Sequence, residues 1–127
     1  MQEKQVFEYA VIRVVPRVER EEFLNAGVVV YCHKLKFLQA RFTVDKKRLH
    51  AFCSTLNLDE IEEHLRAFER VCKGGTDAGP IGKLDIATRF RWLTATRSTV
   101  VQTSKVHPGF CTDPQATLVK LYAELVL

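Results

Sequence analysis

Ten consecutive residues, Val6-Phe-Glu-Tyr-Ala-Val-Ile-Arg-Val-Val15, are dense in β-branched and aromatic side chains and apolar on both alternating faces. A strand of that kind has no face to give to water, so it predicts a central strand of a sheet covered on both sides. Pro16 ends it. The rest of the chain must then supply two apolar layers, and a length of 127 residues with 46% hydrophobic and 27% charged residues is enough for one such core. A single domain over residues 1–127 is the expectation.

The segments that follow fit this frame. Arg17 to Leu24 reads as a short helical turn, and Asn25-Ala26-Gly27 reads as a turn leading into a second strand, Val28–Cys32. His33-Lys34 is a two-residue polar break, after which Leu38, Ala40, Phe42 and Val44 alternate with polar residues as a third strand with one wetter face. Asp45 is a good N-cap for a helix from Lys46 to Thr55, although Lys46, Lys47 and Arg48 in its first turn oppose the helix dipole. Such a basic first turn is either a solvated face or the mark of a site that wants an anion.

Asn57 with Glu60 three residues on resembles a capping box, and Leu58, Ile61, Leu65, Phe68 and Cys72 form an apolar stripe that Gly74-Gly75 stops. Gly74 to Pro80 is a flexible loop but no domain boundary. Residues 86–93 suit helix and strand alike, and helix is favoured; Thr99–Thr103 reads as a strand and His107-Pro108-Gly109 as a turn. Asp113-Pro114 then opens an amphipathic helix to the chain end. The predicted class is α+β, an antiparallel sheet of three or four strands covered by the helices at 57–73 and 113–127.

Several chemistries are excluded. The longest uncharged apolar run, Ala26 to Cys32, is far short of the roughly 20 residues that span a bilayer, and Met1 to Gln5 lacks the apolar core of a signal peptide, so a cytoplasmic location is expected. A phosphate loop fails at Gly82-Lys83, because Asp77 stands where its first glycine should be and Leu84 replaces the hydroxyl. Cys32-His33, His50 with Cys53 and His107 with Cys111 lie on separate elements and lack metal-site spacing; the cysteines read as small hydrophobes, and neither metal nor cofactor is expected. Ser104, Lys105, His107 and Cys111 cluster without a nucleophile elbow or an orienting acid, which leans against an enzyme.

Charge is segregated within a net of +4. Residues 31–50 hold Lys34, Lys36, Arg41, Lys46, Lys47 and Arg48 against Asp45 alone, and residues 83–111 hold Lys83, Arg89, Arg91, Arg97 and Lys105 against Asp85 alone. Together with Trp92 these windows allow a nucleic-acid-binding module as the alternative function.

Tyr9-Ala-Val-Ile-Arg-Val-Val-Pro16, Glu22-Phe-Leu-Asn-Ala-Gly-Val-Val29, Arg41-Phe42 and the closing helix from Asp113 to Val126 resemble a bacterial family of unknown function, DUF3037. Its members often neighbour genes for kinases similar to HipA, so the resemblance implies an accessory protein that partners or regulates such a kinase. It supplies no catalytic residues. Arg13, inside an apolar strand, needs a carboxylate or a ligand anion, and Glu22 is the natural candidate. If an anion or partner site exists, the expected members are Arg13, Asn25, Arg41, Arg89 and Arg91 with Ser104, Lys105 and His107 nearby, a cationic concavity suited to planar anions.

Overall fold

The computed structural model describes residues 3–127. Strand β1 (Gln5–Val14) is central, as its two apolar faces demand. On one side it pairs with β2 (Leu24–Cys32), which in turn pairs with β3 (Phe37–Phe42); on the other it pairs with β4 (Val101–Thr103) and β5 (His107–Cys111), placed end to end. Every pairing is antiparallel. The class is α+β, with five strands where three or four were expected.

Alternation along β1 feeds two cores. Ala10, Ile12 and Val14 point into the larger one, beneath α1 (Lys46–Phe52), α2 (Leu58–Lys73) and α3 (Ile86–Leu93). Phe7 joins Val28, Val30 and Cys32 on the opposite face, where α4 (Pro114–Leu125) contributes Leu118 and Tyr122 and is followed by Val126. The α2 helix forms where every local signal agrees: Asn57 Oδ1 accepts from Glu60 N at 3.1 Å, acids fill the first turn and bases the last. Among the described residues no helix is long and apolar enough to cross a membrane.

Tertiary contacts overrode several local expectations. Asn25-Ala26-Gly27 is no turn but part of β2, where the register passes from Ile12 opposite Gly27 to Arg13 opposite Asn25 and leaves Ala26 as the extra residue of a bulge. Gly27 is needed because a Cβ there would lie 2.6 Å from Arg41 O and 2.7 Å from Phe42 Cβ on the neighbouring strand. The β2–β3 turn takes four residues, 33–36, with Lys36 at φ 50°. Helix α1 stops at Phe52 because Cys53 is extended, and residues 76–83 wind into 3-10 turns instead of an open loop. His107-Pro108-Gly109 is likewise a strand; Pro108 is tolerated at a sheet edge, and a Cβ on Gly109 would meet the Phe7 ring at 2.7 Å.

Candidate functional site

The eight residues expected to form one concavity are distributed over both faces of the sheet. Arg13, Asn25 and Arg41 lie on the α4 side. Arg13 does not pair with Glu22, which binds Arg20 instead; its guanidinium stacks on the exposed Phe23 ring, 3.9 Å from the centroid. Cross-strand from it, Asn25 donates from Nδ2 to Leu125 O at 3.0 Å, so it ties down the last turn of α4 rather than shaping a turn of its own. Arg13 Nε and Asn25 Oδ1 are buried without a hydrogen-bond partner. Arg41 lies 5.1 Å from the Tyr122 ring centroid on the same helix.

Arg48 gives a further use to the carbonyls at that end of the molecule. Its Nη1 donates to Val126 O at 2.9 Å, so one of the three bases in the first turn of α1 finds its negative partner at the C-terminal end of α4.

The other residues serve other elements. Ser104 is buried, accepts from Val11 N at 2.8 Å and donates to Lys105 O, filling the gap between β4 and β5. Lys105 is exposed, and the His107 ring lies 5.3 Å from that of Tyr9. On the helical side Arg89 is spent on carbonyls: Nη1 donates to Val71 O and Cys72 O, both at 2.8 Å, and Nε to Leu84 O at 3.1 Å. Arg91 Nη2 holds both oxygens of Glu8, at 3.0 and 2.8 Å.

What the sequence reading missed is a hydrophobic pair. Val6 and Phe110 are cross-strand partners on β1 and β5, and they remain 54% and 72% exposed. Directly opposed strand residues present their side chains side by side, so the two make one apolar knob at a sheet edge. It adjoins a cleft of about 420 Å³ lined by Lys4, Glu8, Tyr31, His33, Lys34 and Arg91. Inside it the Tyr31 hydroxyl and His33 Nδ1 are 2.9 Å apart, and burial pushes the Tyr31 phenol above its ordinary pKa. Glu8 is the one carboxylate lining this cleft, and Arg91 occupies it. The local field is therefore positive.

The same end of the molecule unites the two basic windows of the sequence. Lys34 and Lys36 from the first line a second cleft together with Arg89 from the second, with Asp85 beside them. By contrast, among the described residues no group of three or more His, Cys, Asp and Glu is placed to hold a metal ion. All four cysteines are free; Cys32, Cys72 and Cys111 are buried, and burial pushes the Cys72 thiol up to about 12.

Residues 9–126 match a family model described as a protein of unknown function, DUF3037. No curated protein and no solved structure matches the chain.

Proposed function

The chain belongs to the DUF3037 family, and from that premise we propose that it is a non-enzymatic accessory module that docks an acidic segment of a partner protein, anchored by an apolar side chain, on Val6 and Phe110. The observation that carries this reading is the exposed pair standing in register beside a cleft that carries Lys4 and Lys34 next to a Glu8–Arg91 ion pair. Isolated exposed hydrophobics are ordinary, but an aromatic at an edge strand beside a charged rim has the composition of an interface anchor. Pro108 blunts the edge against strand addition, so side-chain docking is the mode it supports.

The family resemblance makes a kinase similar to HipA the first partner to test. Co-purification of the chain with the product of the neighbouring kinase gene, followed by titration of Phe110→Ser, measures this directly. The expected result is a complex weakened at least about 30-fold by the substitution, an effect of about 2 kcal/mol. Its thermal midpoint should stay unchanged, because Phe110 contributes little to either core. A complex that Phe110→Ser leaves intact overturns the docking surface. Concentration-dependent self-association abolished by Phe110→Ser would replace the partner by a second copy.

One observation favours the alternative, a nucleic-acid-binding module: the basic windows 31–50 and 83–111 adjoin at the β2–β3 turn. Against it, Arg89 and Arg91 already have partners inside the chain. Mobility shift over a salt series separates the two readings, since phosphate-driven binding must weaken steeply as salt rises. Tight, salt-sensitive DNA or RNA binding that survives Phe110→Ser would favour the alternative.

A further inference from the structure

A cavity of about 280 Å³ opens between α2, the end of α3 and β4, away from the Val6–Phe110 surface. Ala67, Phe68, Val71, Trp92, Leu93 and Val101 make its walls. The polar groups around it are few: Arg97, His64 and the side chains of Thr99, Gln102 and Thr103. No carboxylate lines it. This is the composition of a small-molecule site, an apolar recess with a small number of convergent polar groups.

Arg97 sets the chemistry. Its guanidinium lies over the Trp92 ring at 4.3 Å from the centroid and donates to Trp92 O, so it is held against the mouth of the cavity by stacking and one carbonyl. Among the described residues it forms no ion pair, although the chain has fifteen Asp and Glu to offer. Partial burial lowers its pKa, the mark of a cation that has lost water and gained no anion in return. His64 at the rim lies 3.7 Å from Glu60, so the guanidinium alone supplies a cation without a paired acid.

We propose that this cavity binds a small apolar carboxylate, its hydrocarbon or aryl body between Phe68, Val71, Leu93 and Val101 and its carboxylate on Arg97. A planar fork of N–H donors suits a carboxylate bidentately, and a recess of about 280 Å³ has room for the body of a small organic acid. The site is independent of the proposed docking surface and stands or falls without it.

Trp92 is the single tryptophan of the chain, so its fluorescence reports on this cavity with no background from another indole. Titration of the full chain with phenylacetate and with hexanoate should give a saturable change, and the neutral phenylacetamide and hexanamide should bind at least about tenfold more weakly. In Arg97→Gln, followed by ligand-observed NMR because the substitution alters the Trp92 environment, acid and amide should bind equally. Ala67→Leu, which fills the recess from α2, should abolish binding of both while the thermal midpoint holds. Absence of saturable binding by either acid at millimolar concentration overturns the proposal, and so does equal binding of acid and amide by the unaltered chain. That comparison needs no variant to fold.

Discussion

The hydroxyl of Ser104 stands in for a backbone carbonyl. Where β4 ends and β5 has yet to begin, Val11 N–H would face no strand partner, and the Ser104 side chain accepts it at 2.8 Å while Ser104 N donates to Val11 O at 2.8 Å. The residue thus keeps the β1 ladder continuous across an irregular stretch, and an isolated buried N–H is what its loss would create. Ser104→Ala should cost about 1–3 kcal/mol. For a chain of this size each kcal/mol moves the midpoint by about 4 °C, so thermal unfolding should report a fall of about 4–12 °C. A variant with an unshifted midpoint would show that water satisfies Val11 instead. The role was illegible in the sequence, where Ser104 next to Lys105 and His107 suggested polar chemistry, because the partner that gives the hydroxyl its role lies opposite it, 93 residues away along the chain. Arg13 was misread for the same reason: its charge pointed to Glu22, yet a planar guanidinium is also stabilised by an aromatic face, which Phe23 supplies at the adjoining position.

Among the elements, α2 and α3 share the larger core and are also bridged by one polar side chain. Arg89 on α3 reaches the carbonyls of Val71 and Cys72 in the last turn of α2, groups that have no partner within their own helix, and also binds Leu84 O ahead of α3. Gly74 gives it room, since a Cβ there would sit 2.7 Å from Arg89 Nη1. Hydrogen bonds from a charged donor are among the stronger ones, so Arg89→Met should cost about 2 kcal/mol, and Arg89→Lys should restore less than half, because one ammonium cannot span three carbonyls. Chemical denaturation of the pair checks this; full rescue by lysine would mean that charge alone mattered.

At the start of α3 the Asp85 carboxyl is held below its ordinary pKa by hydrogen bonding to Thr88, through its side chain and its backbone N–H. A depressed folded pKa means that the cap stabilises fully above the unfolded value and fades as pH falls through the folded one. The protection of the amides across residues 86–93, measured against their intrinsic exchange rate at each pH, should therefore fall below the usual aspartate range, and Asp85→Asn should remove that dependence while keeping the cap. The elements themselves were legible wherever their signals are local: the alternation of β1, the caps and stripe of α2, the Asp113-Pro114 start of α4. Edges and joints were not. Pro108-Gly109 has turn composition and becomes β5 only because β1 offers an open edge and Phe7 needs the space that glycine leaves.

At the scale of the whole molecule the two faces of the sheet are unequal, and the cysteines are placed to measure it. Cys72 lies in the larger core under α1, α2 and α3, while Cys32 and Cys111 lie beneath α4, in a core with about half as many buried residues among those described. Helix α4 ends the described chain and is tied at its last turn by Asn25 and Arg48. A single helix on a smaller apolar layer is the unit expected to open at lower free energy than the global transition. Cys53 is half-buried where the other three cysteines are buried, and hydrogen bonding to Thr55 lowers its pKa, so it is the cysteine most open to reagent. Burial raises the pKa of the Cys72 and Cys111 thiols. Labelling with a thiol reagent, read residue by residue by mass spectrometry, should therefore modify Cys53 first, then Cys32 and Cys111 together, and Cys72 last, at the rate of global unfolding. Asn25→Ala and Arg48→Met, which release the end of α4, should accelerate the middle pair without changing Cys72. If Cys32, Cys111 and Cys72 react at one common rate, both layers open as one cooperative unit, and the sheet transmits the loss of either helix layer to the other.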